Sequence, residues 1–222
     1  MSVLNDNIGF IELVDRMGDD KSIVEAARVS FNNDKIEYEK NRDEKLISYL
    51  LKNKHSSPFE HVVFKFHVNA PLFVARQWMR HRTFSYNEIS RRYTSENLEF
   101  YIPKYYRKQS ADNKQASDGK VEENWSTVLD EKVRIHIEKS VSLYEEMIDK
   151  GVAREQSRIV LPQTMYTRFY VTGNLWNWLH FIDLRDHEHS QWEIRQYAKE
   201  IKILISNYNP ITIDIWNKLK EE

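Results

Sequence analysis

The run Arg80-His81-Arg82-Thr83-Phe84-Ser85-Tyr86-Asn87-Glu88-Ile89-Ser90-Arg91-Arg92-Tyr93 concentrates more potential chemistry than any other part of the chain. It places five cationic or potentially cationic side chains within thirteen residues. Arginine suits phosphate because its planar fork donates two parallel hydrogen bonds to one anion. Such a crowd repels itself unless anions or carboxylates neutralise it, and Glu88 alone is too little. One or more bound phosphates would suffice. From Phe73 to Lys108 eight Lys/Arg stand against three Glu, a local charge of +5, which leaves −6 for the rest of a chain whose formal net charge is −1. A cationic stretch inside a near-neutral chain points to a small anionic ligand, whereas nucleic-acid binders carry a clear basic excess. The bland alternative is a solvated basic surface or an arginine network paired with distant acids. Apolar Leu72, Phe73, Val74, Trp78 and Met79 lie just upstream. They argue that the arginines leave a buried helix rather than decorate a polar one.

The other reactive residue types carry weaker patterns. His55, His61 and His67 recur every six residues, a spacing across a proline and a strand that gives no common face, and HExxH is absent from Asp186-His187-Glu188-His189. No metal site is expected. Tyr101, Tyr105 and Tyr106 among Lys104, Arg107 and Lys108 could stack bases or rim an oligomer interface. Trp176 and Trp178 read as core before cofactor box. Neither GxGxxG nor GxxxxGK[ST] occurs, so no Rossmann or P-loop phosphate cradle is supported. Two other function classes remain beside a small-ligand enzyme. They are a nucleic-acid module, weakened by the charge balance and the lack of RNP or zinc motifs, and a metal-dependent hydrolase. The chain has no cysteine, which excludes disulfides, thiolate metal ligands and a thiolate nucleophile.

The elements that must hold these residues can be read from periodicity. The 222 residues are 41% hydrophobic and 13% aromatic, enough to build a core, with five Gly and five Pro. Ile8 to Val14 reads as a strand, Ser22 to Ser30 as a short helix, and Asp43 to Lys52 as a helix with Leu46, Ile47, Leu50 and Leu51 on one stripe. His61 to Ala70 alternates, with Val62, Phe64, Phe66 and Val68 on one face. Pro71 then opens a helix to about His81. Asp112 to Glu123 reads as a polar surface loop, and Asp130 to Lys150 as a long helix stopped by Gly151. Gln163 to Val171 is a strand, and Asn174 to Leu184 and Gln191 to Ser206 are helices. The expected class is α+β, a mixed sheet with packed helices, in one domain over 1–222. No signal peptide or membrane span is read, so a cytoplasmic protein is expected.

Arg80-His81-Arg82, seven residues, then Ser90 resembles the signature of the flavin-dependent thymidylate synthases. His55-Ser56-Ser57-Pro58-Phe59-Glu60-His61 looks like a second block of that family, and Ala70-Pro71 to Gln77-Trp78 like the helix leading into the signature. Asn87-Glu88, Arg92-Tyr93, Arg158-Ile159-Val160-Leu161-Pro162, Asn174, Leu184-Arg185 and Gln191-Trp192-Glu193-Ile194 follow in the family's order. The resemblance covers about Phe10 to Tyr197.

The resemblance implies methylation of dUMP to dTMP. The carbon would come from 5,10-methylenetetrahydrofolate, and NADPH would reduce a bound FAD. It also implies a homotetramer with active sites shared between subunits, and neither nucleic acid nor membrane as partner. Carried over by position, Arg185, Ser90 and His55 form the catalytic set. His55, Ser57, Arg80, His81, Arg82, Glu88, Asn174, His180 and Leu184 would contact the flavin. Gln77, Arg80, Glu88, Ile89, Ser90, Arg91, Arg92, Arg158 and Arg185 would contact dUMP. Ser90 reads better as a contact than as a nucleophile, because no base is committed beside it. Trp176 stands where members often carry arginine near the flavin. The missing cysteine fits this chemistry. The other route to dTMP adds an enzyme thiolate to the uracil ring, and this chain has none.

Overall fold

A computed structural model of the chain describes residues 3–30, 39–114 and 116–221. Its elements run β1 (Phe10–Met17), α1 (Asp20–Val29), α2 (Lys40–Lys52), a 3-10 turn (Ser57–His61), β2 (Val63–Pro71), α3 (Leu72–Trp78), β3 (Ser85–Glu88), β4 (Arg107–Gln109), β5 (Ser117–Lys120), α4 (Glu123–Asp149), α5 (Arg154–Ser157), a 3-10 turn (Arg158–Val160), β6 (Tyr166–Asn174), α6 (Leu175–Arg185), α7 (Trp192–Ser206) and α8 (Pro210–Glu221). The main sheet has the order β1-β2-β6-β3, and β4 pairs with β5 in a separate ribbon. The α+β class stands. The expected mixed sheet is refined, since all three ladders of the main sheet run antiparallel.

The alternation in β2 decides which face the helices cover. Phe64, Phe66 and Val68 are fully buried, and across the ladder Phe66 faces Val171 while Val68 faces Phe169. Each such aromatic or branched side chain contributes about 1.5–3 kcal/mol by leaving water. On the other face His67 stacks on Tyr170 with ring centroids 4.8 Å apart, and Lys65 lies 5.0 Å over the same ring. That face stays half-exposed, as antiparallel sheets allow. β1 runs beyond the expected Val14 to Met17 because a register shift between Leu13 and Asp15 lets the strand continue.

Sequence signals set several element ends. Asp19 caps α1 and forms a capping box with Ser22. Pro71 caps α3 rather than sitting inside it, and α3 ends at Trp78, short of the expected His81. Asn174 Oδ1 accepts the Asn177 N–H at 3.0 Å and starts α6. Gly151, at φ +84°, ends α4.

Two expectations are corrected here. The loop expected over Asp112 to Glu123 contains β5, and the long helix begins at Glu123, not Asp130. β5 is Ser-Asp-Gly-Lys, with no apolar alternation to betray it. The first two turns of α4 expose Trp125 and Val128, so they show no buried stripe.

The aromatic core stands directly behind the Arg80 turn. Phe84 stacks on Trp178 with centroids 4.2 Å apart, Trp178 meets Phe66 edge-on at 5.0 Å, and Trp78 packs on Phe181 at 4.9 Å. Gly173 makes this possible. A Cβ there would lie 2.2 Å from Cδ1 of Phe84.

Candidate active site

The turn after α3 splits the three signature residues by direction. The His81 N–H donates to the Trp78 carbonyl at 3.0 Å, and the Tyr86 hydroxyl lies 3.0 Å from the carbonyls of both Trp78 and His81. Burial raises the Tyr86 pKa, keeping that hydroxyl a donor. The turn is therefore pinned from β3. Arg80 and Arg82 point to solvent, while His81 points inward and is 8% exposed. His81 lies 4.8 Å from the Phe181 ring and 6.2 Å from Phe84.

His81 meets Arg185 there. The Arg185 Nε donates to His81 Nε2 at 3.0 Å, and Arg185 Nη2 donates to the Gln77 carbonyl at 3.2 Å. Burial, then the charge of Arg185, then His180, pushes the His81 pKa down to about 4. His81 is therefore a neutral acceptor that supports Arg185. Burial also lowers the pKa of Arg185.

Gln77, Arg80, Leu184 and Arg185 line a cleft of about 770 Å³. Its far walls are Gln191 and the β4–β5 ribbon, through Arg107, Gln109 and Ser117. Gln191 and Arg107 carry a network that sequence reading did not find as such. Gln77 Nε2 donates to Gln191 Oε1, and Gln191 Nε2 donates to Glu193 Oε2 at 3.0 Å. Arg107 Nη2 reaches both Glu193 oxygens at 2.7 and 2.9 Å, and Tyr101 donates to Oε1 at 3.2 Å.

Ser90, Arg91, Arg92 and Arg158 belong elsewhere, for none of them lines this cleft. The Ser90 Oγ accepts the Arg92 backbone N–H at 3.3 Å. Arg91 is 8% exposed, and its Nη1 and Nη2 donate to the Glu96 and Asn97 carbonyls at 2.6 and 3.3 Å. Its guanidinium shapes a loop, and its buried Nε has no hydrogen-bond partner among the described residues. Arg92 and Arg158 converge on Glu155. Arg92 Nη2 lies 3.5 Å from its carboxylate, and Arg158 Nε donates to its carbonyl at 3.3 Å. Glu88 accepts the Thr167 hydroxyl at 2.6 Å, and the Ile89 N–H bonds the Arg168 carbonyl at 2.9 Å.

The third group lies next to the first along α6, for the His180 ring stands 6.0 Å from His81. His55 and Ser57 are exposed, with the His55 ring edge-on to Tyr49 at 5.7 Å. Trp176 and His180 line a second cleft of about 500 Å³ with Lys54, Trp216 and Lys220. Trp176 is tilted against Phe59 at 5.8 Å, and Lys220 lies 3.8 Å over the Trp216 ring. Asp183 borders both clefts. Lysines beside indole faces suit an anionic aromatic group, so this cleft and His180 fit a flavin nucleotide. α8, which supplies two of these residues, was not read from sequence. Among the described residues no three His, Asp or Glu side chains stand where they could share a metal ion.

Residues 12–211 match the model of the family described as thymidylate synthase complementing protein. A flavin-dependent thymidylate synthase of Thermus thermophilus is 49% identical over 203 residues, 91% of this chain and 73% of that protein. One from Thermosipho africanus is 46% identical over 210 residues, 95% of this chain and 91% of its own length. Among solved structures, the UMP/dUMP methylase PolB from Streptomyces cacaoi, bound with 5-Br dUMP, superposes with a TM-score of 0.87 at 32% identity, covering 95% of each chain. With its signature turn, its Arg185 cleft and a match along most of its length, the chain belongs to the thymidylate synthase complementing protein family.

Proposed function

We propose that the protein is a flavin-dependent thymidylate synthase that methylates dUMP to dTMP, working as one domain over 1–222 in the cytoplasm. The carbon donor is 5,10-methylenetetrahydrofolate and the reductant NADPH. One observation carries the reading. In a chain of this family, Arg185 stands in an open cleft with its Nε held by a neutral, buried His81.

FAD would be held by His55, Ser57, Arg82, Asn174 and His180, with Trp176 stacking where a charge is otherwise expected. When bound, the flavin supplies hydride. The chain's own residues orient the nucleotide and stabilise charge. The Arg92–Arg158 pair around Glu155 suits the dUMP phosphate, with Ser90 and Ile89 beside it. Arg185 offers its Nη groups to negative charge developing on the uracil ring, and His81 fixes their direction. Arg80 and Leu184 border the same cleft. Ser90 Oγ touches a backbone N–H and no base, which supports a contact role over a nucleophilic one.

The phosphate arginines and the Arg185 cleft are separate within one chain. This separation supports the homotetramer, in which the Arg92–Arg158 face of one subunit completes the cleft of another. α4 agrees, since Trp125, Val128, Ile135 and Leu143 stand exposed along it.

The test is the visible spectrum of the purified protein. A flavin spectrum that bleaches with NADPH, returns in air and accompanies dTMP formation is expected. A colourless protein that neither takes up FAD nor consumes dUMP refutes the reading.

A further inference from the structure

Glu193 lies in the first turn of α7, 3% exposed, among groups that donate to it. Arg107 reaches both of its oxygens, and Tyr101 donates to one. Its remaining neighbour is Gln191. A carboxylate held against a guanidinium accepts hydrogen bonds and does not donate them. Gln191 must therefore turn its NH₂ toward Glu193, as the 3.0 Å bond records. Its carbonyl oxygen is then aimed at Gln77, which answers with its own NH₂. Each amide has one orientation that satisfies its neighbour, and the choice at Glu193 propagates to the next residue.

The consequence falls at the cleft. Gln77 spends an N–H on Gln191, and its Oε1 has no protein partner among the described residues. We propose that Glu193 is a positioning residue that fixes, through Gln191, the Oε1 acceptor of Gln77 toward the substrate, which must answer with a hydrogen-bond donor. A nucleotide can bring such a donor from two places, the ring N–H of uracil or the sugar hydroxyl. Gln77 sits beside Arg185, whose Nη2 holds its backbone carbonyl, so the relay ends in the cleft read as the dUMP site. An acceptor fixed in this way rejects a ligand that offers another acceptor, because both lone pairs would go unpaired. The inference rests on reading this cleft as the dUMP site.

The test uses the FAD-loaded full chain and calorimetric titration with dUMP. Gln191→Leu removes the relay while leaving Glu193, Arg107 and Tyr101 together. Glu193→Gln supplies an amide that can donate, so Gln191 can turn over. Each is expected to weaken dUMP binding about tenfold. Two analogues identify the donor: 2′,3′-dideoxyuridine monophosphate lacks the sugar hydroxyl, and N3-methyl-dUMP lacks the ring N–H. In the parent protein the analogue missing the donor binds about tenfold more weakly than dUMP, and in Gln191→Leu that penalty disappears. A purely structural role for Gln191 would weaken all three ligands alike. A dUMP affinity within about twofold of the parent in Gln191→Leu overturns the proposal, as do analogue penalties that the variant leaves unchanged. If Glu193→Gln fails to fold, Gln191→Leu alone decides. A parent protein that takes up no FAD and binds no dUMP fails the reading of the site itself, a distinct result.

Discussion

His81 should make the protein lose stability in mild acid. In the native state burial and the neighbouring Arg185 hold its imidazole neutral, with the pKa down from 6.5 to about 4. Unfolding frees the ring to take up a proton near its ordinary value. Between these two values the unfolded chain binds more protons, so stability falls as pH falls through the window and the loss is complete below about 4. The full difference is on the order of 3 kcal/mol. About 2 kcal/mol of it is spent between pH 7 and pH 4.5. Other groups titrate over the same range, so the measurement is a comparison. His81→Gln places an uncharged acceptor near the position of Nε2 and preserves the bond from Arg185. Denaturant unfolding of parent and variant at about pH 7 and about pH 4.5, at one fixed protein concentration, isolates the imidazole. The parent should lose about 2 kcal/mol more than the variant. pH dependences that superimpose within about 0.5 kcal/mol would refute a buried neutral His81 bonded to Arg185.

Three further outcomes follow from the same geometry. Gly173→Ala should cost about 1–3 kcal/mol, because its Cβ would force Phe84 off Trp178. Calorimetry should then show a Tm lower by about 3–10 °C, and an unchanged Tm would mean that Phe84 has room to move. Arg185→Ala should lower kcat for dTMP formation about a hundredfold while the dUMP Kd changes less than about tenfold. A rise in KM with kcat unchanged would contradict a role at the developing ring charge. Ser90→Ala should keep measurable turnover, since the hydroxyl's recorded contact is the Arg92 N–H. Total loss of turnover with parental dUMP affinity would restore the nucleophile.

Sequence reading reaches the parts whose signal is local. The alternation from Val62 to Val68, the helix beginning about Asn174 and the stop at Gly151 each rest on neighbouring residues, and each appears in the structure. β3 escapes because Ser-Tyr-Asn-Glu is a four-residue edge strand without alternation, held by its neighbour β6. The β4–β5 ribbon escapes because its residues are polar and gain their meaning from a partner far along the chain. Arg107 is 86 residues from Glu193. The same holds for charge. His81 looks cationic among arginines in the sequence, and burial against Phe84 and Phe181, with the charge of Arg185 and then His180 beside it, makes it neutral.

The ladder between β2 and β6 has a consequence for how the chain is made. Pro71 pairs with Tyr166 and Val63 with Asn174, so the centre of the sheet joins segments on the order of a hundred residues apart. On a ribosome β1 and β2 emerge and can pair early, but the second edge of β2 stays open until β6 has left the exit tunnel. An open edge beside Phe64, Phe66 and Val68 is a template for the wrong partner, including a nascent neighbour. The chain therefore depends on shielding over that interval, and its folding should be slow for its size. The same order delays function. β3 adds to β6 rather than to β2, so the Arg80 turn gains its final support only after the strand that arrives late.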